Sequence, residues 1–124
     1  MSAHETASRG SRRPRFLLVW YEAGEPRARS HCYDPVEDDA GTWYADPHSS
    51  LSSALREARL LAWDWVWHDE HARAVGCAPW SFAPPEAGAI YDLGRGTSRR
   101  FDFGASIRRQ RGTARRDAER EEKA

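Results

Sequence analysis

The sequence predicts a small α+β domain in which an antiparallel sheet, with elements in the order β-β-β-α-β-β, packs against one long amphipathic helix. Short runs rich in β-branched and aromatic residues alternate with glycine- and proline-containing turns, and one long segment carries apolar residues at helical spacing. A length of 124 residues is enough for one core. We therefore predict a single domain over residues 16–104, flanked by a disordered basic arm (1–15) and a charged tail (105–124) that is partly helical or disordered.

Three strands are expected before the helix. The run RFLLVWYE (15–22) is continuously apolar, which predicts a strand buried on both faces. Residues 27–34 alternate between small and larger side chains, as is typical of a half-exposed hairpin partner. The acidic segment 35–41 is expected to be a loop, and TWYA (42–45) a short third strand.

The helix is predicted over about residues 48–75. Asp46 followed by Pro47 indicates its start, because an acid caps the first turn and proline suits the first helical position. The serines that follow are alternative caps. Gly76 is a natural residue for the end of the helix.

The remainder of the chain predicts a loop, a hairpin and the tail. Three prolines in residues 77–88 exclude regular structure there. Residues 89–93 and 99–104 flank the turn sequence GRGTS and predict a second hairpin. Gly112 weakens a helix in the charged tail that follows.

The tryptophans of WDWVWHDEH divide between two faces of the predicted helix at 100° per residue. Leu60, Trp63 and Trp67 lie together on one side, and we call these three residues the aromatic ridge. The opposite stripe is about 120° wide and is a normal core face. It contains Leu51, Ala54, Leu55, Ala58, Leu61, Ala62, Trp65, Val66 and Ala72.

A helix with two apolar faces needs two packing partners. The aromatic ridge is either covered by the loop around Trp80 and the C-terminal hairpin, or it contacts a second copy of the chain or a different protein. Exposed tryptophans are enriched in binding hot spots. We therefore predict a small, non-enzymatic interaction module that binds a protein partner, or itself, through the aromatic ridge.

The formal net charge of zero conceals a strong segregation of charge. Residues 1–15 carry +3, residues 16–94 carry −8 and residues 95–124 carry +5. The basic arms either fold back on the acidic body or bind phosphates, so the alternative function is a DNA- or RNA-binding regulator or phage accessory protein. The candidate phosphate ligands are Arg95, Arg99, Arg100, Arg108, Arg109 and Arg111.

A more remote alternative is a zinc-supported or Cys/His hydrolytic enzyme. His68, His71, Cys77 and Cys32 together form a chemically suitable zinc ligand set. The chain contains no CxxC or HExxH spacing to support that set, and two exposed histidines near a helix C-terminus, where the helix dipole favours their charged form, explain the motif better. We therefore expect no cofactor and no metal.

The composition and the N-terminal residues indicate a cellular compartment. No apolar run approaches the roughly 20 residues needed to cross a bilayer, and the first 15 residues have no apolar segment typical of a secretory signal. These features predict a cytoplasmic protein with free thiols and no membrane partner. Eighteen arginines against one lysine, with no asparagine, indicate a GC-rich genome.

Overall fold

The computed structural model describes residues 14–26, 33–38, 40–77 and 81–123, and it confirms the predicted α+β class and element order. A second helix follows the last strand; it begins at Phe103, within residues predicted as the end of that strand, and runs on through the predicted charged tail. The elements are β1 (Phe16–Ala23), β2 (Tyr33–Glu37), β3 (Gly41–His48), α1 (Leu51–Ala74), β4 (Glu86–Asp92), β5 (Thr97–Phe101) and α2 (Phe103–Lys123).

The strands form one antiparallel sheet in the order β2-β3-β1-β4-β5, with the apolar strand β1 at its centre. β2 begins only at Tyr33 and includes Pro35–Glu37, which the sequence analysis assigned to an acidic loop. The earlier part of the predicted second strand lies outside the described residues.

One face of the sheet is buried beneath the helices and the other is only partly covered. Leu18 and Trp20 on β1 are buried on the helix side, whereas Leu17 and Val19, which alternate with them, are half-buried. The expectation that β1 is buried on both faces was therefore wrong, because both helices pack on one side. The buried core consists of Leu18, Trp20, Tyr44, Ala54, Ala58, Leu61, Ala62, Ile90 and Phe103.

α1 begins four residues later than the Asp46–Pro47 motif indicated. Ser50 is the N-cap, and its hydroxyl oxygen accepts a hydrogen bond from the Ser53 amide at 3.1 Å. Asp46 instead remains in β3, opposite Leu18 of β1. Strand pairing thus overrides a local capping signal.

The end of α1 agrees with the prediction. Gly76 adopts a φ of 78°, the left-handed conformation that glycine tolerates best. Its amide donates to the Arg73 carbonyl at 3.2 Å, and the Cys77 amide donates to the Ala72 carbonyl at 2.7 Å. This is a Schellman motif, and it satisfies carbonyls that the helix leaves without partners.

α2 is anchored where β4 contains an irregularity. The pairing with β1 shifts between Val19 and Tyr21, and Ala87 has a φ of 53°. A Cβ on the adjacent Gly88 would collide with the ring of Phe103, so the missing side chain makes room for the first residue of α2. Phe103 is buried there and joins α2 to the core.

Candidate protein-interaction surface

The aromatic ridge lies on the outer face of α1. The exposed fractions of Leu60, Trp63 and Trp67 are 49%, 49% and 51%. The neighbouring Leu61 and Ala62 are buried against the sheet, so the helix turns these smaller apolar side chains inward and two of its three tryptophans outward. Trp80, one of the residues expected to cover the ridge, lies outside the described residues.

Among the depressions that border the ridge, two are larger than the one of about 260 Å³ beside Glu57 and Asp64. The first runs between α1 and α2, has a volume of about 420 Å³ and is lined by Trp63 and Trp67 with Glu70, His71 and Asp117 among its polar walls. The second is a shallower depression of about 560 Å³ beside the N-terminal half of α1. It is lined by Ser52, Arg56, Arg59, Leu60, Trp63 and Gln110. Both depressions include Gln110 of α2, so the surface is concave on the side of the ridge that faces α2.

Ring stacking fixes the C-terminal end of the ridge. The Trp67 indole is parallel to the His71 imidazole at a centroid distance of 5.4 Å. It also meets the His68 ring edge-on at 5.0 Å. These contacts restrict the rotamers of Trp67, which lowers the entropy lost when a partner covers it.

The described residues of the remote zinc alternative do not converge on one point. His71 stacks on Trp67, and His68 Nε2 lies 3.5 Å from Asp64 Oδ1. Cys77 is exposed beyond the helix end, and Cys32 lies outside the described residues. Over the part of the chain that the structure describes, no group of three His, Cys, Asp or Glu side chains is arranged to hold a metal ion.

Trp65 has a different role from the other two tryptophans. The sequence placed it in the core stripe, and it is half-buried where α1 meets the loop before β4. Its indole N–H donates to the Phe82 carbonyl at 2.8 Å, and the Arg111 guanidinium lies 5.3 Å from its ring centroid. Trp65 thus connects α1 to two other segments.

A buried carboxylate fixes α2 against α1. The Asp69 side chain is only 2% exposed, and its Oδ2 accepts from Arg111 Nη2 at 2.7 Å and from Arg73 Nε at 3.0 Å. Hydrogen bonding to Asp69, together with its charge, raises the pKa of Arg73 above its ordinary value. The resulting ion-pair network holds the groove between the two helices at a defined width.

The six candidate phosphate ligands do not form one continuous surface. On β5, Arg99 is opposite Ile90 and Arg100 is opposite Ala89, so these consecutive arginines point to different faces of the sheet. Arg111 points inward to Asp69. The remaining candidates are exposed, Arg95 in the hairpin turn and Arg108 and Arg109 on α2.

A hydrogen-bonded chain that was not predicted from the sequence lies where β3 meets α1. His48 Nε2 lies 3.0 Å from Asp46 Oδ2, and His48 Nδ1 lies 2.8 Å from Ser53 Oγ. Acid, imidazole and hydroxyl in series are also the components of a hydrolase triad. The cavities at the ridge and beside β4 and β5 are not lined by Asp46, His48 or Ser53, so we interpret this chain as a connection that positions the start of α1. The spacing Asp-x-His-x₄-Ser across a strand-to-helix junction is the only local signal for it.

Comparison of the chain with known protein families, with curated proteins and with solved structures finds no match. No helix among the described residues combines the length and the apolar content that a membrane span requires.

Proposed function

We propose that this protein is a small, non-enzymatic interaction module that docks a protein partner on the aromatic ridge of α1. The observation that carries the proposal is the half-exposure of Leu60, Trp63 and Trp67 as one continuous row. Contiguous exposed apolar surface is rare on proteins that stay monomeric and marks interaction sites. Tryptophan also contributes more binding energy per residue than most other side chains.

The surroundings of the ridge support the same function. The face of α1 opposite the ridge packs on the sheet through Ala58, Leu61 and Ala62, so the exposed side chains project from a fixed helix. The Asp69–Arg111 pair fixes the position of the neighbouring α2. A rigid surface loses little conformational entropy when it binds.

The test is a double substitution with a matched control. We expect Trp63→Ala with Trp67→Ala to lower the free energy of unfolding by no more than about 1–2 kcal/mol, because both indoles are already half in water. The same variant should lose the complexes that the wild-type protein forms in cross-linking and affinity capture from its source cells. The control is Trp43→Ala with Tyr91→Ala, which removes two comparably exposed aromatics from the sheet.

Two results would contradict the proposal. A ridge variant that no longer folds would show that the ridge is structural, and a ridge variant that captures the same proteins as wild type would exclude it as the docking surface. The control variant should retain every complex.

A second candidate function is nucleic-acid binding through the exposed arginines. The favouring observation is that five of the six predicted phosphate ligands, Arg95, Arg99, Arg100, Arg108 and Arg109, are exposed. Counterion release predicts that affinity for labelled DNA or RNA falls steeply as salt rises. Arg99→Ala with Arg100→Ala should weaken binding uniformly across sequences, and binding that does not respond to salt would contradict this alternative.

A further inference from the structure

Opposite charges lie at the two ends of the aromatic ridge. Arg56 precedes Trp63 by seven residues and Glu70 follows it by seven. Seven residues turn an α-helix by two revolutions less about 20°, so both charged side chains lie on the ridge face. At 1.5 Å per residue, each is about 10 Å from Trp63 along the axis. The face therefore has a basic end, an apolar centre and an acidic end.

The charged ends are available to a partner. The ion pairs formed among the described residues of α1 involve Asp64, Asp69, Glu70 and Arg73, and they leave Arg56 and Arg59 exposed. The Glu70 side chain is 46% exposed, and its Oε1 is 3.8 Å from Arg111 Nε, beyond hydrogen-bonding distance. Arg111 is held mainly by Asp69.

We infer that the partner docked on the ridge is a second copy of this chain, with the two α1 helices antiparallel across a two-fold axis at Trp63. This inference rests on the proposed function and names the partner. A two-fold interface must be complementary to itself. A residue a given number of positions before Trp63 in one copy therefore meets the residue the same number of positions after Trp63 in the other copy. Arg56 of each copy thereby faces Glu70 of the other.

The apolar side chains obey the same symmetry. Leu60 lies three residues before Trp63 and Trp67 lies four after it, so Leu60 of one copy falls beside Trp67 of the other. The depression lined by Arg56, Arg59 and Leu60 is positioned to receive that indole. The two Trp63 rings meet at the axis.

The size of the ridge predicts a weak dimer. Three half-exposed apolar side chains per copy form a smaller apolar centre than a standard stable interface. We therefore expect dissociation in the micromolar range. The two Arg56–Glu70 contacts at the rim fix the orientation of the copies more than they add affinity.

Charge reversal tests this arrangement in the full-length protein by sedimentation velocity. Arg56→Glu or Glu70→Arg alone places like charges together at both ends of the dimer, and each variant should dimerise about tenfold or more weakly than wild type. An equimolar mixture of the two variants should form a heterodimer. At one end of that heterodimer, the glutamate introduced at position 56 faces the arginine introduced at position 70. At the other end, the native Glu70 of the first variant faces the native Arg56 of the second.

Salt provides a second readout. Because salt screens exposed charges, the single variants should regain part of their self-association at high ionic strength, whereas the wild-type dimer persists. Arg100→Glu on β5 is the control for added negative charge and should dimerise like wild type. Circular dichroism and thermal unfolding establish that each variant is folded before it is mixed.

The outcomes separate the inference from the proposed function. Wild-type protein that remains monomeric to millimolar concentration overturns the second copy as partner, as does a mixture that fails to associate more strongly than either variant alone. In those cases loss of captured proteins by the Trp63→Ala, Trp67→Ala variant would still uphold docking on the ridge. Unfolding of that double variant would overturn both.

Discussion

The two faces of α1 reverse the usual relation between side-chain size and burial. On the inner face the helix presents Ala54, Ala58 and Ala62, all fully buried, whereas Trp63 and Trp67 on the outer face are half in water. Small inner residues let the helix axis approach the sheet closely, so the large aromatic residues Trp20 and Tyr44 from the strands fill the core. The inner face is therefore built for close packing, and the outer face has surface left for a partner.

Adjacent leucines test this contrast most directly. Leu61 is 8% exposed and belongs to the core, whereas Leu60 is 49% exposed. Leu61→Ala should lower the free energy of unfolding by about 2–4 kcal/mol because it leaves a cavity that the sheet cannot fill. Leu60→Ala should cost under about 1 kcal/mol and instead weaken association. Urea denaturation of both variants measures the difference, and equal losses would show that the ridge is also core.

The next largest effect concerns two aspartates on the same helix. Asp69 is buried and binds two arginines, whereas Asp64 is 47% exposed and lies 3.5 Å from His68. We expect Asp69→Asn to cost about 2 kcal/mol, less than for a fully sealed pair because both arginines reach solvent. Asp64→Asn should cost less than about 0.5 kcal/mol.

Hydrogen exchange identifies the segment of the Asp69→Asn variant in which the backbone amides lose protection. Amides of α2 should exchange faster in that variant, because α2 loses its charged attachment to α1, while those of β1 and β3 should be unaffected. Protection of α2 equal to that of wild type would mean that its apolar contacts, Phe103 among them, hold this helix in place without the charged attachment.

Local periodicity was enough to identify the aromatic ridge from the sequence. The angular positions of Leu60, Trp63 and Trp67 around the helix axis are enough to distinguish them from the core stripe. The helix that carries them has an N-cap residue and a C-terminal glycine within a few residues of its ends. The α+β class and the element order followed from similarly local patterns of strand, turn and helix. Structural features that are determined by residues within one or two helical turns can be predicted from the sequence.

Structural features that depend on residues far apart in the sequence could not be predicted from it. Arg111 was predicted to bind phosphate, because nothing in the tail indicates that its partner is Asp69, 42 positions earlier. The Asp46–Pro47 capping signal was misleading because pairing with β1 keeps both residues in β3. The expected burial of β1 on both faces failed because a continuous apolar run does not specify how many layers cover it.

The smallest effect we predict is confined to the end of the sheet where β1 begins and β4 ends, and it should leave the ridge unchanged. Asp92 accepts hydrogen bonds from the Arg15 guanidinium, at 3.2 Å from both Nε and Nη2, and from the Arg95 and Gly94 amides. The Arg15 contact is the main cause that lowers the pKa of Asp92 below 3.8, with the backbone amides adding to it. A carboxylate with a lowered pKa contributes stability that is complete above its unfolded pKa and is lost as pH falls through the folded value.

Asp92→Asn should therefore melt at a lower temperature than wild type at pH 6, and the difference should shrink below about pH 4 as wild type loses the same interaction. Arg15→Ala removes the largest cause of the shift and should reproduce this profile. A difference that stays constant down to pH 2.5 would show that the asparagine disturbs packing rather than charge. Dimerisation at pH 6 should be the same in both variants as in wild type, because Arg15 and Asp92 join β1 to β4 and take no part in the outer face of α1.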